Sequence, residues 1–353
     1  MRILITGGAG FVGSHLALSF KRDMPHNTVI ALDNLKRRGS ELALERLASG
    51  GVEFRHGDVR NREDFADASS LDLLIECSAE PSVQAGIAGD DRYLINTNLI
   101  GTINCLDHAR RHGAAVVFLS TSRVYPIASL RELPLVATET RFVVPEAHTG
   151  LGWSARGIAE NFPLTGSRSL YGATKLCSEL IIAEYAALYG LPAVINRCGV
   201  VTGPWQMGKV DQGFVVFWAA RHLFGGPLSY NGFGGTGLQV RDALHVEDLY
   251  LLIRDQVVQM PAHSGKTYNV GGGTECSVSL AELTEICVER SGRRVAITSQ
   301  PETNPVDVPY YVTDNSAVTA ATGWRPRLSM TDILDEIFGW LREHRRELEV
   351  ILK

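Results

Sequence analysis

Residues 2–17 read RILITGGAGFVGSHLA. The apolar run Ile3–Thr6 breaks at once into glycine, and the residues after Gly13 fit a helix. Such a strand–turn–helix step makes three different demands. Gly7 permits the tight turn, Gly10 lets backbone approach a pyrophosphate, and Gly13 lets helix and strand pack closely. The same glycines would also serve a bare tight turn, so the surrounding chain has to decide.

The next apolar run decides it. Val29–Leu32 ends in Asp33, twenty residues after Gly13, where a carboxylate can accept from the adenosine ribose and would repel a 2′-phosphate. NAD is therefore expected as cofactor, although Lys36, Arg37 and Arg38 nearby leave NADP open. Asp58, in HGDVR, is placed to meet the adenine edge or to cap a strand end. Further short apolar runs at Val52–Phe54, Leu73–Glu76, Val116–Leu119 and Ala193–Asn196 alternate with amphipathic stretches. That rhythm predicts an α/β fold: a Rossmann-type, doubly wound parallel sheet with its site outside the carboxyl ends of the strands. From about Gly199 the rhythm loosens and glycines crowd between Gly225 and Gly237. We expect a dinucleotide-binding domain over 1–198 and a smaller C-terminal α/β substrate-binding lobe over 199–353, with about 238–270 returning to the first. The segment 126–168 lacks periodicity and is long for a loop.

The totals agree with a globular α/β protein. The chain has 353 residues, 45% hydrophobic and 21% charged, with a formal net charge of −5. No dense basic block exists beyond the one at 36–38, which argues against nucleic acid as a partner. No apolar run approaches a membrane span, and the start lacks a signal pattern, so a cytoplasmic protein is expected. The six cysteines are scattered without CxxC or zinc-like His spacing, so no metal site is expected.

Tyr171 and Lys175 stand four apart in YGATK, a spacing that puts both on one helix face. Oxidising a carbinol requires removal of its hydroxyl proton, and an ammonium beside a phenol lowers the phenol's pKa towards use as a base. The run Val116–Leu119 leads into Ser120 and Thr121 at the sheet's carboxyl edge, where a hydroxyl can bond the same substrate oxygen. Thr121, Tyr171 and Lys175 are the candidate catalytic set.

Taken in order, TGGAGFVGSHL, LDNL, HGDVR, NTNLIGT, STSRVY, YGATK, QVRDALHVEDL and YNVGGG resemble the extended short-chain dehydrogenase/reductases, and among them the nucleotide-sugar epimerases. The resemblance covers nearly the whole chain. It implies NAD contacts from Gly7, Gly10, Phe11, Val12 and Gly13 in the turn. Asp33, Asn34, Asp58 and Val59 would follow on the adenosine side, and Ser78, Ala79, Asn98, Ser120, Tyr171 and Lys175 nearer the reaction. It assigns substrate contacts to Thr121, Arg123, Gln206, Arg241 and Asp307, with Arg241 suited to phosphate by its fork of donors. Family dehydratases carry an Asp-Glu pair directly after the catalytic Thr, and related decarboxylases a Glu at the second position; here Ser122-Arg123 stands instead. Epimerisation needs no added acid or base, so the resemblance points there.

Within the family, LDNLKRRGSE, Glu139-Thr140-Arg141, the long segment before SLYGATK, and Asp211-Gln212-Gly213 look like the branch that inverts C2 of a CDP-3,6-dideoxyhexose. A UDP-sugar 4-epimerase is the rival, ahead of a net sugar reductase or a non-catalytic NAD-binding protein. Three positions depart from epimerase relatives: Asn304 where Arg is usual, and Val200 and Thr202 where Asn and Tyr are usual. A nucleotide-diphosphate sugar is the implied partner, CDP-linked before UDP-linked. A homodimer is implied through the helix bearing Tyr171 and its neighbour near Asn98.

Overall fold

The computed structural model describes residues 1–65, 70–85, 91–209 and 212–352. Asp211, one of the branch-like residues, lies outside them. The chain forms two compact units. The first comprises 1–124, 170–197 and 249–268, and the second 125–169, 198–248 and 269–353. Residues 125–169 group with the second unit, and 249–268 with the first.

The first unit is built on a seven-stranded sheet. We number its strands β1 (Arg2–Thr6), β2 (Thr28–Asp33), β3 (Glu53–His56), β4 (Leu73–Glu76), β5 (Ala115–Thr121), β6 (Ala193–Cys198) and β7 (Lys266–Val270). Their order is β7-β6-β5-β4-β1-β2-β3, and the pairs among β1–β5 are parallel. The order reverses beside β1, which puts the crevice of a doubly wound sheet where the glycine turn lies. All six expected strands are in this sheet, and β7 is an addition to them.

Both faces of such a sheet are covered, so its strands read as unbroken apolar runs. Ile3, Leu4 and Ile5 of β1 and Leu73, Leu74 and Ile75 of β4 are at most 4% exposed. One face packs on helix α1 (Phe11–Asp23) through Leu16, Ala17 and Phe20. Leu4, Leu74, Val116 and Phe118 share a core with Cys105 and Leu106 of helix α2 (Gly101–His112) and Ile182 of helix α3 (Leu170–Tyr189). α2 stops at Gly113 in the left-handed region (φ 65°), a conformation that glycine adopts without cost.

In the second unit the strand Val240–His245 pairs in parallel with Val200–Thr202 and Tyr310–Tyr311 and antiparallel with Ser277–Ser279. The irregular segment 126–168 contains two short hairpins, Val136–Ala137 with Phe142–Val143 and Trp153–Ser154 with Gly157–Ile158. It is pinned by Arg141. That guanidinium grips both carboxylate oxygens of Glu282 at 2.8 and 2.6 Å and also bonds Ser277. Glu282 itself closes a capping box with Ser279 at the start of the helix Leu280–Ser291. Arg141 and Thr140, which also donates to Glu282, are thus anchors of a loop. Phe162, 4% exposed, packs edge-on against Tyr125 and holds the same loop down.

Candidate active site

The turn after β1 fits a dinucleotide by shape. Gly7 has φ 64°, and a Cβ there would lie 2.8 Å from the Cys77 carbonyl oxygen; one on Gly13 would lie 2.1 Å from that of Gly7. Only glycine allows this approach. Gly10 caps α1 with no side-chain hydrogen bond, and Phe11 and Val12 form its first turn, so the positive end of the helix dipole faces the turn. Ser78 comes shortly after β4 with its backbone nitrogen beside Gly7, and Ala79 follows it in the chain.

Asp33 ends β2, and its carboxylate accepts the Ala9 and Leu35 N–H groups at 3.1 and 2.7 Å. Burial raises its pKa, the nearby Asp58 charge adds to this, and the backbone donors oppose it. Asp58 is more occupied than a free adenine ligand would be. Arg60 grips it at 2.9 and 2.6 Å, and the Asn34 amide donates to it at 2.9 Å. Burial pushes this carboxyl up, but the Arg60 and Asn34 donors prevail and hold it down to about 2. Asp58 and Asn34 are therefore a bonded pair just past the ends of β3 and β2. Val59, 5% exposed, abuts Gly101 at the start of α2. Lys36, one of the cations that leave NADP open, lies 3.2 Å from the centre of the Tyr93 ring.

Of the candidate catalytic residues, β5 carries Thr121, and α3 carries Tyr171 and Lys175 one turn apart; they are 8, 9 and 2% exposed. Thr121 Oγ1 accepts the Arg123 N–H at 3.1 Å, which fixes the hydroxyl's rotamer. Lys175 Nζ donates to the Leu119 carbonyl at 3.0 Å and lies 4.4 Å from the Phe118 ring centre.

Two of the residues expected near the cofactor, Asn98 and Ser120, have internal hydrogen-bond partners. Asn98 sits in a π-helical turn, Asn96–Ile100. Its amide accepts the Glu80 N–H at 2.7 Å and donates to the Glu80 carbonyl and Thr174 hydroxyl at 3.1 and 3.3 Å. Asn98 thereby ties the segment after β4 to α3. Ser120 donates to Glu179, whose carboxylate also receives Arg197 from β6 at 2.7 Å. Glu179 and Arg197 side chains are 5 and 8% exposed, so this pair is internal to the first unit. The sequence reading missed it. The available signal is a single charged residue inside the apolar strand AVINRC and a carboxylate one turn past Lys175.

In the second unit, Arg241 and Asp307 come together: Arg241 Nη2 bonds Asp307 Oδ1 at 2.9 Å and the Val308 carbonyl at 2.6 Å. Arg131 reaches the same loop, donating to the carbonyls of Asn304, Pro305 and Asp307 at 2.9, 3.2 and 3.0 Å. A guanidinium thus lies against the loop at Asn304, although the residue itself is not Arg. Gln206, expected on the substrate side, is 9% exposed. Its amide is bonded within its own turn, to the Thr202 hydroxyl at 2.9 Å and the Val201 carbonyl at 3.0 Å. Asp248 receives Arg327 and Leu328 N–H groups, and His245 lies 3.3 Å from Glu336, so both hold the second unit's C-terminal part. Among the described residues no cluster of His, Cys, Asp and Glu could hold a metal, and no helix is long and apolar enough to cross a membrane.

A parallel sheet with a glycine turn at its switch point, and a hydroxyl, phenol and ammonium at its carboxyl edge, define a nicotinamide-dependent short-chain enzyme. The model of the NAD dependent epimerase/dehydratase family matches residues 3–271, and the chain belongs to that family, with NAD as its cofactor. It is 29% identical to the CDP-paratose 2-epimerase of Salmonella typhi over 347 residues, covering 96% of this chain and 99% of that one. Among solved structures, a double mutant of the dTDP-glucose 4,6-dehydratase DesIV from Streptomyces venezuelae, with NAD bound, superposes with a TM-score of 0.78 at 29% identity, covering all of both chains. The NAD complex of UDP-glucose 4-epimerase from Thermus thermophilus gives 0.76 at 26% identity, covering 97% of this chain and 99% of that one. The protein is accordingly an enzyme similar to proteins that act on nucleotide sugars.

Proposed function

We propose that this enzyme is a nucleotide-sugar epimerase that inverts C2 of a CDP-3,6-dideoxyhexose, interconverting CDP-paratose and CDP-tyvelose. The observation that carries epimerisation over dehydration is the pair after Thr121: Ser122 and Arg123, in the short turn Ser122–Val124, supply no carboxylate for elimination of water. The choice of sugar rests on the resemblance to CDP-paratose 2-epimerase along nearly the full length of both chains.

Bound NAD supplies the place to which a hydride leaves the carbinol carbon and from which it returns. Tyr171 takes the hydroxyl proton and gives it back, Lys175 favours the phenolate by its charge, and Thr121 bonds the sugar oxygen in both directions. Inverting a centre requires the keto sugar to present its other face without leaving. Affinity must therefore reside in the nucleotide diphosphate, held by Arg241 with Asp307 orienting its guanidinium, while the sugar contacts stay permissive. Arg123 would complete the sugar side.

The test is incubation of the purified enzyme, with no added cofactor, with CDP-paratose, UDP-glucose, UDP-glucuronic acid and dTDP-glucose in turn. Conversion of CDP-paratose to CDP-tyvelose, with no solvent deuterium at the inverted carbon, is expected. Turnover of a UDP-sugar alone moves the reading to a 4-epimerase, and release of water from dTDP-glucose moves it to a dehydratase.

A further inference from the structure

Behind the triad lies a carboxyl that the proposed chemistry does not use. Glu76, the last residue of β4, is 0% exposed. Sheet register sets it between Thr6 of β1 and Phe118 of β5, and paired residues of parallel strands share a face. The Lys175 ammonium lies over that same Phe118 ring. Glu76 Oε1 meets the Thr102 hydroxyl at 2.6 Å, while Oε2 has no hydrogen-bond partner among the described residues. A fully buried carboxylate with one bare oxygen is costly, and a neutral carboxyl much less so.

Its surroundings accept either state. Thr102 Oγ1 lies 2.8 Å from the Asn98 carbonyl, and Ser178 Oγ lies 3.3 Å from Thr102 and 3.0 Å from the carbonyls of both Asn98 and Thr174. A hydroxyl carries one proton and can rotate. With Glu76 ionised, Thr102 donates to it and Ser178 donates to Asn98. With Glu76 protonated, Glu76 donates to Thr102, Thr102 to Asn98 and Ser178 to Thr174. The ionisable groups acting on Glu76 are Lys175 from α3 and, from α2, the Cys105 thiol, which burial and the Glu76 charge hold neutral; β1 and β5 present Thr6 and Phe118.

We propose that Glu76 is a positioning residue of the triad, acting through Lys175: its protonation state sets how much of the ammonium's charge reaches the Tyr171 phenol. This deepens the reading of Tyr171 as the base and rests on it. Neutral, Glu76 no longer offsets the ammonium's charge and the phenolate is favoured. Ionised, it offsets that charge from the far side and the phenol holds its proton to higher pH. The carboxyl is pushed up to about 7, chiefly by burial, with Lys175 and the Thr102 hydroxyl opposing, so the change falls near neutral pH.

The experiment follows the Tyr171 phenolate in the NAD-bound enzyme by ultraviolet difference titration, each background read against its own Tyr171→Phe variant. In Glu76→Gln, which keeps the shape and removes the charge, the midpoint falls by about half a pH unit or more. Thr102→Val removes the donor that favours the Glu76 carboxylate, and it moves the midpoint the same way even if Glu76→Gln fails to fold. The acidic limb of the kcat profile shifts downward with it. Equal midpoints in the parent and the folded variants overturn the proposal. A shifted midpoint in an enzyme that turns over no nucleotide sugar instead overturns the proposed reaction and leaves the role of Glu76 standing.

Discussion

Tyr171 and Lys175 face the same way because a helix brings residues four apart into line, and this local geometry gives the first prediction. Tyr171→Phe removes only the phenol oxygen, so bound NAD is retained while turnover falls by roughly 10²–10⁴-fold; cofactor content and progress curves report the two separately. Near-normal turnover would dismiss Tyr171 as the base. At Glu76 the single-residue consequence is one of stability. Its carboxyl is raised from 4.5 to about 7 in the fold, mainly by burial. The native state therefore favours the neutral form. The contribution is fully present below pH 4.5 and is lost as pH rises through about 7, where the native carboxyl ionises. Relative to Glu76→Gln, the parent loses about 3 kcal/mol between pH 4.5 and 8. Urea unfolding at both pH values checks this, and a variant that tracks the parent at both would contradict it.

Elements are locked together here by a few buried polar contacts. Glu179 on α3 and Arg197 on β6 form an ion pair at 2.7 Å, and Ser120 at the end of β5 donates into it. Three elements thus meet at one carboxylate, directly behind Thr121. Glu179→Ala strands the buried guanidinium and should cost about 3–5 kcal/mol in chemical denaturation. A cost under about 1 kcal/mol would mean that the pair is solvated and fixes nothing. At a helix end the stakes are smaller. Ser329 caps the helix Met330–Glu343 in a capping box with Asp332, and Ser329→Ala should cost about 1 kcal/mol, a modest loss of Tm measurable by calorimetry.

For the molecule as a whole, the outer face of α3 leaves large apolar side chains uncovered: Leu180 is 62% and Leu188 68% exposed, and Ile100 beside α2 is 40% exposed. We predict that these faces pair two copies of the chain. Light scattering should then give a dimer for the parent and a monomer for Leu180→Glu; a monomeric parent would remove the idea. The amino-acid sequence by itself determined whatever depends on neighbours along the chain. The glycine turn, the carboxylate closing β2, the period of the strands and the Tyr171–Lys175 spacing are set by local backbone geometry. Tertiary structure decided what depends on which strands lie side by side. Register alone put Glu76 between Thr6 and Phe118, and sheet order alone let Arg197 reach Glu179. It likewise turned Asn98, Ser120 and Gln206 towards internal partners and brought Arg131 to the loop at Asn304. Such pairings join residues far apart in the chain, and burial makes each of them obligatory, because a polar group removed from water needs a partner wherever the fold can supply one.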